Sequence, residues 1–402
     1  MARPDALNDE ESGSLALRPD EAWPFYAEDE IAASADVLRS GKVNQWTGPE
    51  VKAFQDACTE RFQGGHGIAL TNGSVALELA LRAFGIGQGD EVIVSPRSFM
   101  ASASCVNLVG ATPVFADVDR DSGNLTAGTI EAALTERTKA VIPVHIGGWP
   151  ADMPAIMTLA AARGFKVIED CAQAHGATIH GESVGSFGDA ATFSFCQDKI
   201  ISTGGEGGFT SFKDLDIWKW AWSFKDHGKN WDKVSMPAVA PGFRWLHDMV
   251  GTNWRLTGPQ AAIGLVQLRK LDQWIEIRRR NAAIWTRALS QVPGLRVPQA
   301  PAGIAVAPYR LYLYVEGGEP AEAKRNEIIR RAEAEGIRLF SGSCSEIYLE
   351  HAYADRDRPD LPVARELGKT SLAVECHPTL RPELVELRAE RLARIASDVL
   401  SA

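Results

Sequence analysis

The chain has 402 residues, 45% of them hydrophobic, and a formal net charge of −10. This length can bury one large core and a smaller second one, which predicts two globular domains. The acidic residues are spread along the chain without a basic block, so we expect no nucleic-acid partner. No apolar run is long enough to span a membrane, so we expect no membrane partner either.

Residues 1–28 are predicted to form a flexible N-terminal tail. Up to about Leu17 the segment is rich in Asp, Glu, Ser and Asn, and such a segment cannot bury enough apolar surface to become ordered. The segment is acidic where a secretion signal would be basic and then apolar, so we expect a cytoplasmic protein. Six scattered cysteines without a C-x-x-C pair predict reduced thiols, with neither a disulfide framework nor a metal site.

A helical pattern begins at Asp29 and stops at Ser40-Gly41, as expected of a helix terminus. The loop that follows contains Trp46 and leads into the next helix through Gly-Pro. An exposed tryptophan in such a loop could contact a substrate. Packing of the loop itself is the commoner use of this residue, so Trp46 is a candidate substrate residue with a structural alternative.

From residue 66 onward, predicted strands and helices alternate regularly. Apolar runs predict strands at 67–71, 91–94, 113–116, 139–144 and 166–169. Helical patterns separate them at 75–84, 100–109, 126–134 and 153–162. Alternation at this spacing predicts an α/β domain over residues 29–258, with a mostly parallel sheet between two layers of helices.

The first two strands end in residues that suit a ligand. Gly73 and Ser74 stand directly before a helix, where unpaired N–H groups and the positive end of the helix dipole form an anion site. Capping of the helix by the Ser74 side chain is the structural alternative. After the second strand, Phe99 could stack on a planar ring at the same sheet edge, and core packing is nearly as good an explanation.

The stretch from Lys166 to Gly208 brings an acid and a lysine to the same edge. Asp170 ends one strand, and Lys199 follows the apolar run at 190–195; open α/β sheets bind their ligands at such carboxyl ends. Lys199 could form a Schiff base with a cofactor aldehyde while Asp170 keeps the cofactor's ring nitrogen protonated. An ordinary salt bridge between the two residues is the alternative. Ser194 lies nearby on the second strand and could contact a phosphate.

The C-terminal half changes character. A tryptophan-rich helix is predicted at 217–224, and a basic segment follows it. The acidic total disfavours nucleic acid there and favours a substrate pocket or a subunit contact, so His227 is a candidate substrate residue. A helical pattern at 260–289 predicts a helix that bridges two domains over residues 259–290. Beyond it, a strand, a helix and a strand are predicted at 309–315, 324–335 and 337–340, and a helix at 383–400. This order indicates a small α+β domain over residues 291–402.

Together these features favour a pyridoxal 5'-phosphate site over the separate structural explanations. Four strand ends of one sheet carry an anion site, an aromatic ring, an acid and a lysine. The lysine has to move a proton, which needs an amine whose pKa the surroundings can lower. The acid has to face the ring nitrogen of the cofactor.

The sequence resembles the DegT/DnrJ/EryC1/StrS family, the sugar aminotransferases among the fold type I pyridoxal phosphate enzymes. The matching segments occur in family order and span residues 47–255; they include Asn72-Gly73-Ser74, Gly110-Ala111-Thr112-Pro113, Glu169-Asp170-Cys171-Ala172-Gln173, Phe193-Ser194-Phe195, Gly205-Glu206-Gly207-Gly208, Asp226-His227-Gly228 and Asn253-Trp254-Arg255. The resemblance implies an aspartate aminotransferase-like large domain and a smaller C-terminal α+β domain.

The resemblance also implies roles for individual residues. Lys199 would bond to the cofactor, Asp170 would lie at the pyridine nitrogen, and Gln173 near the phenolic oxygen. Phe99 would stack over the ring.

The phosphate of the cofactor has its own implied contacts. The resemblance assigns them to Gly73, Ser74 and Ser194 of the same chain. Asn253 would reach the phosphate of the neighbouring subunit's cofactor, which implies a homodimer with shared active sites.

Two departures from the family pattern concern the site. Around its lysine the family often has a proline or glycine and an asparagine, whereas this chain has Cys196-Gln197-Asp198 before Lys199. Arg97 stands where the family usually has a small or apolar residue. Arg97 could bind an anionic group of the substrate, which makes it a candidate substrate residue, or it could be structural.

The function implied is transfer of an amino group from an amino acid, expected to be L-glutamate, to a keto-sugar that is nucleotide-linked, in the biosynthesis of surface polysaccharide or amino sugars. The alternative that stays open is an aminotransferase or a dehydratase that acts on a cyclitol or another non-sugar keto substrate. Lys199 argues against the sugar dehydratase branch, which has histidine at this position. A non-catalytic regulatory relative is the alternative from another class, and the retained lysine, acid and phosphate residues argue against it.

Overall fold

The computed structural model describes residues 21–237, 242–318 and 320–402. Most of the predicted tail, residues 1–20, lies outside the described residues. The strands are β1 (His66–Leu70), β2 (Glu91–Val94), β3 (Thr112–Phe115), β4 (Thr138–Ile142), β5 (Lys166–Asp170), β6 (Thr178–Ile179), β7 (Glu182–Ser183), β8 (Ala190–Ser194), β9 (Gly208–Phe212), β10 (Leu295–Arg296), β11 (Ile304–Ala305), β12 (Arg310–Val315) and β13 (Ser371–Glu375). The α-helices are α1 (Glu28–Ser40), α2 (Glu50–Phe62), α3 (Gly73–Ala83), α4 (Ala101–Leu108), α5 (Ala127–Ala133), α6 (Met153–Arg163), α7 (Leu215–Lys225), α8 (Trp231–Ser235), α9 (Gly258–Leu289), α10 (Ala321–Ala334), α11 (Pro362–Thr370) and α12 (Pro382–Ser401).

A seven-stranded sheet forms the centre of the larger part of the molecule. Its strand order is β1-β9-β8-β5-β4-β2-β3. All neighbours pair in parallel except β9, which runs antiparallel to both β1 and β8. The predicted α/β fold with a mostly parallel sheet is confirmed, and β9 is a strand that the sequence patterns did not predict.

Helices cover both faces of this sheet because successive strand residues point to opposite sides. Ile142 and Ile168 pack in a core that contains residues of α3, α4 and α7. Their neighbours Val141 and Val167 pack on the other side, in a core with residues of α5 and α6. Further along the sheet, α2 and α9 cover β8 and β9 through Phe193 and other aromatic residues. The apolar runs of the central strands are thus buried on both faces, as parallel sheets require.

A second, antiparallel sheet lies in the C-terminal part, in the order β10-β12-β13. Among the described residues, those of its core begin at Ala282 and include side chains of α10 and α12. The strand predicted at 337–340 is wrong: within it, only Phe340 forms an isolated bridge, to Ala373. Phe340 lies at the edge of β13 that faces away from β12, and the pairing there stays confined to this one residue pair.

The 32-residue helix α9 contacts the cores of both parts. Leu271 and Ile275 belong to the core at β8 and β9, whereas Trp285 and Leu289 belong to the C-terminal core. The domain boundaries at residues 28, 258 and 290 stay predictions. No helix among the described residues is long and apolar enough to cross a membrane.

Residues 21–27, which precede α1, contact the segment that follows β8; we call them the N-terminal strap. The indole N–H of Trp23 donates to the backbone oxygen of Lys199 at 3.0 Å. The Tyr26 hydroxyl lies 3.0 Å from that of Ser202. The strap therefore contacts the loop that carries the predicted cofactor lysine.

Candidate active site

A cavity of about 530 Å³ opens where β5 and β8 end and α3 begins. Seven of the predicted site residues line it: Gly73, Ser74, Phe99, Asp170, Gln173, Ser194 and Lys199. They come from positions up to 126 residues apart in the chain. The structure therefore brings together the anion site, the aromatic ring, the acid and the lysine that the sequence singled out.

The start of α3 forms the predicted anion site. Asn72 caps the helix, because its side-chain oxygen accepts the Val75 N–H at 3.0 Å. Asn72, and not Ser74, is therefore the capping residue. The N–H groups of Gly73 and Ser74 belong to the first turn, which has no intrahelical acceptors. A β-carbon at Gly73 would lie 2.6 Å from that of Ser194, so only glycine fits beside this serine.

Asp170 is a buried carboxylate with two hydrogen bonds. Its oxygens accept from the Ser102 hydroxyl at 2.9 Å and from the Ala172 N–H at 3.1 Å. Burial raises the pKa of Asp170 above its ordinary value, although these two bonds act in the opposite direction. A cationic ring N–H at this carboxylate would offset the cost of burying its charge. Sequence reasoning missed Ser102, which stands one helical turn after Phe99.

Lys199 is paired with an acid other than the predicted one. Its Nζ lies 3.1 Å from a carboxylate oxygen of Asp198 and 5.1 Å from the centre of the Tyr309 ring. Burial would lower the pKa of Lys199, but Tyr309 and Asp198 raise it above its ordinary value. The expectation of a lowered lysine pKa is therefore wrong for the free amine. No direct salt bridge joins Lys199 to Asp170 among the described residues, so that alternative is also wrong.

Gln173 and Phe99 complete the wall of the cavity. The side-chain oxygen of Gln173 accepts the Gly147 N–H at 2.8 Å, which leaves the amide NH₂ as a donor in the cavity. The Phe99 side chain is 70% exposed. An aromatic ring this exposed at the rim of a cavity is available to stack on a planar ligand.

One buried cluster next to the site has the composition of a metal site. The ligand atoms of His145, Glu169 and Cys171 lie within 4.8 Å of one another. The Glu169 carboxylate, however, already accepts three backbone N–H groups and contacts His145 Nε2 at 3.2 Å. His145 Nδ1 accepts the Ala151 N–H at 3.0 Å. Because the ligand atoms of His145 and Glu169 are engaged, the cluster fits a structural role.

Arg97 does not line the cavity. Its side chain is fully buried, donates to the Ser345 hydroxyl at 2.7 Å, and lies over the rings of Tyr312 and Tyr314 at 5.1 and 5.8 Å. These contacts join the strand-end loop before α4 to the C-terminal part. They favour the structural alternative for Arg97 over contact with a substrate.

Trp46, His227 and Asn253 do not line the cavity either. Trp46 is 45% exposed, with Lys229 Nζ 4.3 Å above its ring. His227 is exposed, and its backbone φ is 61°. Asn253 is exposed too, and it forms an isolated antiparallel β-bridge with Asp226. All three lie in the region of Asp226, which pairs with Lys229 at 3.0 Å, and this chain does not bring them to the cavity.

The sequence and the structure have clear relatives. The family model described as DegT/DnrJ/EryC1/StrS aminotransferase family matches residues 24–392. The chain is 39% identical over 339 residues to UDP-N-acetyl-3-dehydro-alpha-D-glucosamine 3-aminotransferase of Acidithiobacillus ferrooxidans, covering 83% of each chain. It is 38% identical over 333 residues to GDP-perosamine synthase of Caulobacter vibrioides, covering 82% of this chain and 84% of the relative. The solved structure of the aminotransferase from Psychrobacter cryohalolentis superposes with a TM-score of 0.90 at 44% identity, covering 94% of this chain and 98% of the other.

Proposed function

The chain belongs to the DegT/DnrJ/EryC1/StrS aminotransferase family and is an aminotransferase, and from this premise we propose that it transfers an amino group from L-glutamate to a nucleotide-linked keto-sugar. The cofactor proposed is pyridoxal 5'-phosphate. The observation that carries the proposal is the meeting of Lys199, Asp170 and the Gly73-Ser74 turn in one cavity. Two of the relatives are named for amino sugars carried by UDP and GDP, which supports a sugar nucleotide as the acceptor.

The residues of the cavity fit this cofactor. Gly73, Ser74 and Ser194 would hold its phosphate, because helix N–H groups and hydroxyls are the donors that a phosphate needs and a β-carbon at Gly73 would fill the space. Phe99 would cover one face of the ring. Gln173 would donate its amide N–H to the phenolic oxygen.

The bound cofactor supplies an electron sink for the carbon that carries the amino group. Asp170 would hold a proton on the ring nitrogen, and its bonds to Ser102 and Ala172 fix the carboxylate in place. Lys199 would bond to the cofactor and, once released, take the proton from the carbon that bears the amino group and deliver it elsewhere on the same face. The buried position of Asp170 excludes water from that carboxylate.

A test of the cofactor assignment needs only purified protein. Added pyridoxal 5'-phosphate should give a visible absorption band that changes when L-glutamate is added. Lys199→Ala should abolish the glutamate response, whereas Lys52→Arg, at an exposed pair with Asp56 on α2, should not. Protein that stays colourless with added cofactor would contradict the proposal.

The acceptor can be identified with a panel of keto-sugars linked to UDP, GDP and dTDP, each assayed with glutamate as donor. Amino transfer to one of them is expected, with the UDP-linked sugars tested first because of the relative from Acidithiobacillus. If glutamate changes the absorption band but no sugar nucleotide accepts the amino group, the acceptor is a non-sugar keto compound.

We also propose that two copies of the chain form a dimer with shared active sites. Asn253 is exposed, and on the same segment Phe243, Trp245 and Val250 are 77%, 83% and 92% exposed. Apolar side chains this exposed favour a surface that another chain covers. Lys199→Ala and Asn253→Asp should each impair activity, and mixed dimers refolded from the two should regain it, because one of their two sites is intact. No recovery would show that Asn253 acts within its own chain.

A cytoplasmic location is part of the proposal. All six cysteines are free thiols in the structure. Free thiols persist in reducing compartments, which supports this location. Fractionation of the cells that make the protein would test it.

A further inference from the structure

The residue directly before the cofactor lysine has contacts that the family pattern does not predict. One carboxylate oxygen of Asp198 lies 3.1 Å from Lys199 Nζ. The other accepts a hydrogen bond from the Tyr309 hydroxyl. Asp198 therefore joins the lysine to the residue that precedes β12, which belongs to the C-terminal sheet.

We propose that Asp198, fixed by Tyr309, is a positioning residue that holds the amine of Lys199 at the cavity wall and stabilises its ammonium form. This inference rests on the proposed function, because it concerns the lysine that would bond to the cofactor. Asp198 thereby stabilises the ammonium ion that Lys199 becomes when, after its release, it takes the proton from the carbon that bears the amino group. The ammonium ion can give its proton to a substrate atom, and the neutral amine that remains can still donate a hydrogen bond to Asp198.

The other charged groups around Lys199 leave this role to Asp198. From β5, Asp170 acts on Lys199 only through space, because its carboxylate is bonded to Ser102 and Ala172. His175 lies near Lys199, and burial lowers its pKa to about 3, so it is neutral. Cys196 lies close as well, and its thiol pKa is raised by burial, so it too is neutral.

The charge of Asp198 is itself secured by its neighbours. Burial would raise the pKa of Asp198, but Lys199, the Tyr309 hydroxyl and Arg310 hold it below its ordinary value. Arg310 lies over the Tyr309 ring at 5.4 Å and over the Phe340 ring at 3.7 Å. Buried Arg278, on α9, donates to the backbone oxygen of Tyr309 at 3.4 Å. Asp198 is thus an ionised carboxylate in a fixed position, and its fixation comes from the C-terminal part.

The test measures the protonation of Lys199 in cofactor-free protein. Lys199 side-chain exposure is 17% and the residue lines the cavity, so a small acylating reagent can reach the amine. Its labelling is followed by mass spectrometry as a function of pH, with exposed Lys42 as the internal reference. Only the neutral amine reacts, so the midpoint of labelling reports the pKa of Lys199.

Asp198→Asn should lower this midpoint by roughly one pH unit or more, because an opposite charge in contact shifts a pKa by about 1–3 units. Asp198→Glu should restore it. Tyr309→Phe keeps the ring under the lysine but removes the hydroxyl, so it should lower the midpoint by less. Equal midpoints in the original protein and Asp198→Asn would overturn the proposal; should that variant not fold, an unchanged midpoint in Tyr309→Phe would do so.

Labelling needs neither cofactor nor substrate, so it separates this inference from the proposed function. A shifted midpoint in a protein that shows no glutamate response would leave the ion pair established and the proposed function refuted. In protein that transfers the amino group, Asp198→Asn should also shift the pH profile of kcat in the same direction. A change in kcat without a shift of the profile would contradict the role assigned to Asp198.

Discussion

The carboxylate of Glu169 is the most heavily bonded acid next to the site, and Glu169→Gln tests what it contributes. One of its oxygens accepts the N–H groups of Phe187 and Gly188 at 2.8 and 2.7 Å. The other accepts the Gly185 N–H at 2.9 Å and contacts His145 Nε2 at 3.2 Å. Every position around the carboxylate is thus occupied by a donor, and the side chain is fully buried.

The proton of His145 cannot move to accommodate an amide. His145 Nδ1 accepts the Ala151 N–H at 3.0 Å, so Nε2 carries the hydrogen and acts as a donor. Whichever way the new amide is turned, its NH₂ group faces two donors. Two hydrogen bonds to a charged acceptor are then lost, at about 1.5–3 kcal/mol each. The free energy of unfolding should therefore fall by roughly 3–6 kcal/mol.

Urea unfolding of cofactor-free protein, followed by tryptophan fluorescence, measures this loss. Glu131→Gln is the matched control, because Glu131 pairs with Arg163 at an exposed site and its side chain is 52% exposed. The control should change the free energy of unfolding by less than about 1 kcal/mol. If Glu169→Gln is as stable as the control, the donor arrangement around Glu169 described above is incorrect.

Three further substitutions test other parts of the structure. Gly73→Ala should raise the Kd for pyridoxal 5'-phosphate about 10- to 100-fold in a titration of the absorption band, because the new β-carbon meets Ser194 at 2.6 Å and one or more bonds to a charged phosphate are lost. The control Gly128→Ala, whose β-carbon has room, should bind the cofactor as before. Equal Kd values for the two variants would refute the close approach of Gly73 and Ser194. Burial lowers the pKa of His175 to about 3, so the unfolded chain takes up a proton below pH 6.5 that the folded chain does not, and stability falls as the pH falls from 6.5 towards 3. The loss in the free energy of unfolding amounts to about 2 kcal/mol at pH 5. In urea unfolding at pH 8 and pH 5, His175→Phe should lack that part of the acid sensitivity. An unchanged pH dependence would show that His175 is protonated in the folded chain. Arg97→Lys should lower the free energy of unfolding by about 1–3 kcal/mol and leave KM for both substrates unchanged in steady-state kinetics, whereas a raised KM would show that Arg97 contacts a substrate.

The parts of the fold that depend on local patterns could be predicted from the sequence. The alternation of strands and helices between residues 66 and 170 is confirmed, since each element carries its own apolar period. Strand β9 could not be predicted in this way, because its place depends on pairing with β1 and β8, which are far away in the chain. The segment at 337–340 has the residues of a strand, but in the folded chain only Phe340 of this segment pairs, with Ala373 at the edge of β13.

The candidate site shows the same division. The residues that motifs identify, such as Gly73 and Lys199, line one cavity as expected from the ends of parallel strands. The partners of these residues were missed, because Tyr309 reaches Asp198 from a distance of 111 residues along the chain. Arg97 contacts tyrosines more than 200 residues away. Motifs indicate which groups face a ligand, and only the folded chain shows which groups hold them there.

The N-terminal strap has a consequence for the order in which the protein is assembled during synthesis. Trp23 bonds to the backbone of Lys199, and its ring packs against Trp274 on α9 and His377 near the C-terminal end. The ribosome makes the strap long before those residues emerge, so the strap cannot dock while most of the chain is still missing. The support of the lysine loop is therefore completed only after residue 377 has left the ribosome. A nascent chain that has folded its seven-stranded sheet would still lack the packing of Trp23 against Trp274 and His377.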